Sequence, residues 1–349
     1  MAVGGAILGL ALAGCEQKGP EPGVTPQQRI ASELDPCAEG GDGFARRVCG
    51  DQELAALDGQ IRETLVAEAA SVSEAGAELL IRNQARWREA QRIACGIVDP
   101  DAEPTLEQQS CLESEFRARA QDAQSAVQEL GGYTFQRMEL FDATPVTAEI
   151  ASASGLGDEA PPAIQRDIRF PRIDGEQTPE IQRFNELVAQ QPQFRLEDAT
   201  NETVDYQIAY AGPEIVSVRF DMSADTLGAA HPNNTTKAVT VMMREGRALL
   251  DTDVFRANTG WQDVITQRAV RELTAQFRDY DFAPPERDVR ESATKPHLWL
   301  VTERGLVILF PPYSFGGPYA LGGADVTIPW SELRPYLNPG APAPIGATS

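Results

Sequence analysis

Apolar positions recur at helical spacing in the first third of the chain. Leu54, Leu57, Ile61 and Leu65 fall at i, i+3, i+7 and i+11, one face of a helix. Leu80, Gln84, Trp87, Gln91 and Cys95 repeat the stripe, and Leu112, Phe116, Ala120, Ala123 and Val127 give a third. Three helices joined by short turns predict an antiparallel bundle. Further on the period becomes two. Tyr206, Ile208 and Tyr210 alternate with polar or small residues, as do Val216, Val218 and Phe220. Leu298–Val301 and Leu306–Phe310 read as more fully buried strands, and Val239–Val241 and Val326–Ile328 add candidates. Helices are expected near Pro179–Gln190 and Trp261–Phe277. The fold class is therefore α followed by α+β. A disulfide-stapled three-helix bundle over 34–130 precedes an α+β domain over 165–337 with a largely antiparallel sheet. Residues 131–164, with Ala-Ser-Ala-Ser-Gly and Pro161-Pro162, read as a linker. The Pro/Ala/Gly-rich stretch 338–349 reads as a disordered tail.

The first fourteen residues read as an address. Residues 2–14 are small and apolar, too short to span a bilayer and typical of a secretory signal. The segment ends Leu12-Ala13-Gly14-Cys15, which resembles a bacterial lipobox and implies lipidation of Cys15. Residues 15–33 are polar and turn-rich, as a tether would be. No Lys or Arg precedes the apolar stretch, which points to a start codon upstream. The implied location is the periplasm or cell surface, with a lipid holding the chain to a bacterial membrane.

Export sets the reading of the other cysteines, Cys37, Cys49, Cys95 and Cys111. An oxidising compartment makes disulfides their default state. Four cysteines allow three connectivities. Cys37–Cys49 and Cys95–Cys111 are favoured, because each bridges a loop beside a helix end. No CxxC pair occurs and no histidine lies nearby, so neither zinc nor thioredoxin-like chemistry is expected there.

Two resemblances follow. Cys49-Gly50-Asp51, Leu54, Leu57-Asp58, Gln84-x-x-Trp87, Cys95 and Cys111-Leu112 resemble the LprI-type lysozyme-inhibitor domain over about residues 34–130. That family commonly has an Arg-Asp pair four and five residues after the Trp, where this chain has Gln91 and Arg92. Trp87 itself reads as a core anchor between helices. Further along, Gly228-Ala229-Ala230-His231-Pro232, Leu249–Phe255, Val307-Ile308-x-Phe310-x-Pro312-Tyr313, Pro318-Tyr319-Ala320 and Ile328-Pro329-Trp330-x-x-Leu333-x-x-Tyr336 resemble the extracellular domain of RsiV-type anti-sigma factors, which sense lysozyme. The same domain accompanies PdaC-type peptidoglycan deacetylases. Ala229 stands where that family more often has a second glycine.

Charge agrees with a cationic partner. The 349 residues carry a formal −22, with 20 acidic against 9 basic side chains over 31–130 and 30 against 19 over 131–349. Nucleic acid is excluded as a partner by that balance. Catalysis is not expected. The two histidines, His231 and His297, belong to no metal pattern, and no nucleophile elbow, P-loop or GxGxxG occurs. Asp251/Asp253 and Asp279/Asp281 read as turns, and no cofactor or metal is implied. The candidate partner-binding residues are His231, in its turn-rich motif, and Pro312, Tyr313, Phe315 and Tyr319, on a loop with glycine hinges. The expected function is a lipid-anchored envelope protein that captures or inhibits lysozyme. The alternative is an envelope- or peptidoglycan-associated binding or sensing protein that inhibits nothing.

Overall fold

The computed structural model describes residues 23–38, 41–190 and 199–346. Its first part is helical: α1 (Pro26–Glu33), α2 (Gly43–Gly50), α3 (Gln52–Glu68), α4 (Glu74–Ala94) and α5 (Leu106–Asp122). The three expected helices are α3, α4 and α5, and each starts where a side chain satisfies its free N–H groups. Asp51 Oδ1 accepts from the Glu53 and Leu54 amides, Ser73 caps α4, and Thr105 forms a capping box with Gln108. Both favoured disulfides are formed, with Cα separations of 5.2 Å for Cys37–Cys49 and 5.7 Å for Cys95–Cys111. Trp87 is buried and meets Phe116 edge-on at 4.9 Å, as a core anchor does. Arg92 is also buried. It donates to the Ile97 and Val98 carbonyls and so closes the C-terminal end of α4.

Three boundaries differ from expectation. Residues 26–33 are not tether but helix, because Thr25 forms a capping box with Gln28, Pro26 occupies the first turn, and Ile30 is buried. Val127 does not continue the third helix. It begins β1 (Val127–Leu130), which turns back through Gly131-Gly132 into β2 (Tyr133–Pro145). The expected linker over 131–164 thus holds a 13-residue strand, followed by α6 (Ala148–Ala153). The tail from Asn338 does not wander either. Ile345 is fully buried and the Asn338 side-chain amide donates to the Thr252 carbonyl.

The remaining elements are β3 (Ala163–Ile173), α7 (Pro179–Ala189), β4 (Thr200–Ala211), β5 (Ile215–Thr226), β6 (Asn233–Met242), β7 (Arg247–Ala248), α8 (Asp251–Val254), α9 (Trp261–Gln276), α10 (Glu286–Ala293), β8 (Trp299–Val301), β9 (Gly305–Phe310), β10 (Ala324–Pro329) and α11 (Trp330–Leu333). Strands β1 to β7 form one sheet in sequence order. Every pairing in it is antiparallel except β3–β4, which is parallel and joined by the crossover carrying α7. A smaller antiparallel sheet, β10-β9-β8, packs on it. Ser217 and Thr240 join the two sheets: Thr240 Oγ1 donates to the Trp299 carbonyl, and Ser217 Oγ accepts from the Val301 amide.

The helical part is not a separate body on a flexible joint. Its apolar core includes Phe141, Ala143 and Ala163 from β2 and β3. The Asn83 side chain donates to the Arg137 carbonyl and Gln136 donates to the Gly76 carbonyl, tying α4 to β2. Asp174, at the end of β3, accepts from both the amide and the hydroxyl of Ser73 at the start of α4. At the centre, Arg119 donates to both oxygens of Glu139 at 2.8 Å. Arg137 bridges Glu139 and Asp122, and Arg169 bridges Asp122 and Asp167. Three guanidiniums and three carboxylates thus balance within one seam, where Arg119, Arg137 and Glu139 are almost wholly buried.

Candidate functional site

The site is built by two turns. The first, between β5 and β6, carries His231. Gly228 there has φ +81°, and a Cβ on it would come within 2.2 Å of the Ser154 carbonyl oxygen, so only glycine fits. Ala229 follows without disturbing the turn, its amide donating to the Thr226 carbonyl. The second runs from β9 to β10 through Pro312–Gly323. Tyr313 in it has φ +68°, a left-handed conformation that a bulky side chain rarely adopts.

The two turns meet. The His231 ring stacks on Tyr319, with centroids 4.0 Å apart and planes 13° from parallel. Tyr313 tilts against Tyr319 at 5.8 Å and is 55% exposed. Asn234, at the start of β6, donates its amide to the Tyr319 hydroxyl at 2.8 Å. His231 Nδ1 lies 3.0 Å from the Pro232 carbonyl oxygen. Tyr319, with His231 and Tyr313 packed against it, lines the rim of a cleft of about 840 Å³ between β4–β6 and the β9–β10 loop. Asp205, Arg219, Asp221 and Asp325 line it, with Pro312 and Tyr319 on the loop side. Arg219 donates to Asp221 at 2.8 Å and to Asp325 at 2.5 Å. Asp205 is exposed, and its Oδ1 accepts from the Tyr206 amide.

Four of the five candidate residues therefore come together: His231, Pro312, Tyr313 and Tyr319. Phe315 does not. It is fully buried, stacked on Phe277 at 5.1 Å and edge-on to Phe310 and Phe282. Its apolar ring is the anchor that lets its exposed neighbours stand out. The carboxylates of the cleft were missed in the sequence. Asp205 and Asp221 pair directly across β4 and β5, and only the strand register shows that. His297 lies apart, on a single turn before β8. Asp253 does not read as a free turn carboxylate: it forks onto Arg247 at 2.6 and 2.8 Å. Among the described residues no group of three or more His, Cys, Asp or Glu is placed to hold a metal ion. No described helix is long and apolar enough to cross a membrane. Cys15 lies outside the described residues.

Comparison with known proteins places one domain. Residues 252–331 match the family described as "Protein of unknown function (DUF3298)", so the chain carries a DUF3298 domain toward its C-terminus. No curated protein matches. Among solved structures, a DUF3298 family member from Bacteroides fragilis is 14% identical, with a TM-score of 0.39 over 60% of this chain and 96% of that one. A DUF3298 family protein from Pseudomonas aeruginosa is 12% identical, with a TM-score of 0.42 over the same shares.

Proposed function

We propose that this chain is a cell-envelope binding protein, lipid-anchored through Cys15, that captures a cationic protein, and that lysozyme is that protein. One observation carries the reading. The cleft beside the two turns carries three carboxylates against one guanidinium and has an exposed aromatic rim, in a chain of net charge −22. Carboxylates and ring faces are the two groups that hold Lys and Arg side chains at a surface. The LprI-type and RsiV-type resemblances support lysozyme from two separate parts of the chain. Inhibition, as distinct from capture, requires covering a cleft whose chemistry rests on two carboxylates. Binding to peptidoglycan or to another envelope component is the second reading, because aromatic platforms also take sugars.

The test is titration of the chain against a basic animal lysozyme at low and moderate salt, with muramidase activity followed in parallel. Tight binding that weakens with salt supports capture, and loss of activity extends it to inhibition. Asp205→Lys, an exposed change, is expected to weaken binding about ten-fold at low salt. Absence of binding to any lysozyme sinks the reading.

A further inference from the structure

The rim cleft does not end at its own wall. A second cavity, of about 310 Å³, lies where the helices meet the sheet, and Thr203 of β4 lines both. Asp167 of β3 stands beside Thr203 in the parallel register, and Thr203 stands beside Ser223 of β5. The floor is therefore one continuous sheet surface, crossing β2 to β6. On one side stand the helices, which contribute Gln91 and Glu115. On the other stands the β9–β10 loop with Tyr319 and Asp325.

Charge along this floor is one-sided. Five carboxylates face it, Glu115, Asp167, Asp205, Asp221 and Asp325, against two guanidiniums, Arg219, which holds Asp221 and Asp325, and Arg169, which forks onto Asp167. At the helical end one carboxylate is short of a partner. Glu115 is half-buried, and burial first, then the nearby Asp167, pushes its carboxyl up. Glu202 is no part of this floor: it alternates to the opposite sheet face from Thr203, where Arg166 stands 3.5 Å from it. A half-buried carboxylate without a cation is costly unless something cationic arrives.

We infer that the two cavities form one trough, which takes an extended basic segment of the partner, so that the helical part and the sheet share a single binding site. This rests on the reading of the rim cleft as a cation-binding surface. Its dimensions set the segment. Four strand spacings of about 4.8 Å give roughly 19 Å, which about six extended residues span. Lysine or arginine side chains at alternate positions of that segment would face the floor, and one end would stack on the Tyr313/Tyr319 rim.

The experiment uses the exported chain and two peptides, ten lysines and three lysines long, with affinity measured at low salt. Three variants report on the trough: Asp205→Lys at the rim cleft, and Gln165→Lys and Glu115→Gln in the seam. Gln165 is exposed, so its variant is not expected to disturb folding. The long peptide is expected to bind the parent at least ten-fold more tightly than the short one. Each variant, at either end, is expected to weaken it about three- to ten-fold, an effect that shrinks with salt. Long-peptide binding that responds to Asp205→Lys but to neither seam variant overturns the trough and leaves the rim cleft standing. Oligolysine binding without lysozyme binding keeps the trough and removes lysozyme as the partner. Failure of oligolysine to bind, with a peptidoglycan fragment bound at the same variants instead, overturns the inference.

Discussion

At the scale of single residues, two side chains hold conformations or charges that the surroundings must enforce. Tyr313 keeps a left-handed backbone at φ +68° while more than half exposed. That conformation costs an L-residue about 1–2 kcal/mol, which glycine avoids. Its only described ring contact is Tyr319, so the strain is not offset by burial. Tyr313→Gly is therefore expected to raise stability, by up to ~1 kcal/mol in denaturant titration, and to weaken lysozyme binding. Loss of stability with binding intact would show that the ring serves the fold. Glu139 is the opposite case, a charge the interior requires. Burial alone would raise its carboxyl, but Arg119, Arg137 and Arg169 overcome burial and hold it near 2, against an ordinary 4.5. A lowered carboxyl stabilises the fold above its unfolded value and loses that contribution as pH falls. Stability is thus expected to drop between about pH 4.5 and pH 2 as Glu139 takes up its proton. Glu139→Gln is expected to cost up to about 3–5 kcal/mol at neutral pH, because the buried Arg119 and Arg137 then keep only the partly exposed Asp122 as counter-charge. Its deficit should shrink across the same acid window. A constant deficit from pH 7 to pH 2 would assign the effect to packing.

At the scale of elements, the sequence was legible where periodicity was apolar and opaque where charge stood in its place. The helices α3, α4, α5, α7 and α9 and the cores of β4, β5, β6, β9 and β10 follow from stripes of Leu, Val, Ile and Phe. Strand β2 does not. Its inward positions are Arg137, Glu139, Phe141 and Ala143, so half of the buried row is ionic, and an alternation count passes over it. The Gly131-Gly132 pair was the signal available, since two glycines between possible strands specify a tight hairpin. Both have positive φ, at +61° and +83°. A Cβ on Gly131 would also lie 2.2 Å from the Ala211 carbonyl oxygen, so the turn sits against the end of β4. Gly131→Ala is expected to destabilise by about 2 kcal/mol or more, through the left-handed penalty and the clash together. Gly132→Ala meets nothing within 4 Å and should cost only the backbone penalty, about 1 kcal/mol. Equal losses in thermal melts would remove the argument from close approach. The candidate site divides in the same way. Its aromatics were visible as a motif on a glycine-rich loop, whereas its carboxylates come from the faces of strands whose partners only the fold assigns.

At the scale of the whole molecule, the question is whether the helical part and the sheet are two stable units or one. The sequence suggests two, with a linker over 131–164. The structure joins them three ways. Phe141, Ala143 and Ala163 complete the helical core, Asp174 receives the start of α4, and the Arg119–Glu139 pair lies between α5 and β2. Separating the parts would expose those apolar residues and leave Glu139 with Arg137 but without Arg119. A buried ion pair that loses one member destabilises by several kcal/mol, comparable with the stability of an ordinary domain. The full chain is therefore expected to unfold in one calorimetric transition, with calorimetric and van't Hoff enthalpies in agreement. A fragment covering residues 127–346 alone is expected to melt at least 10 °C lower, or to lack a cooperative transition, since a few kcal/mol moves a melting point by that much. Two resolved transitions, the upper matching that fragment, would show that the sheet stands alone. The seam would then be a docking interface, and the trough it closes would be free to open.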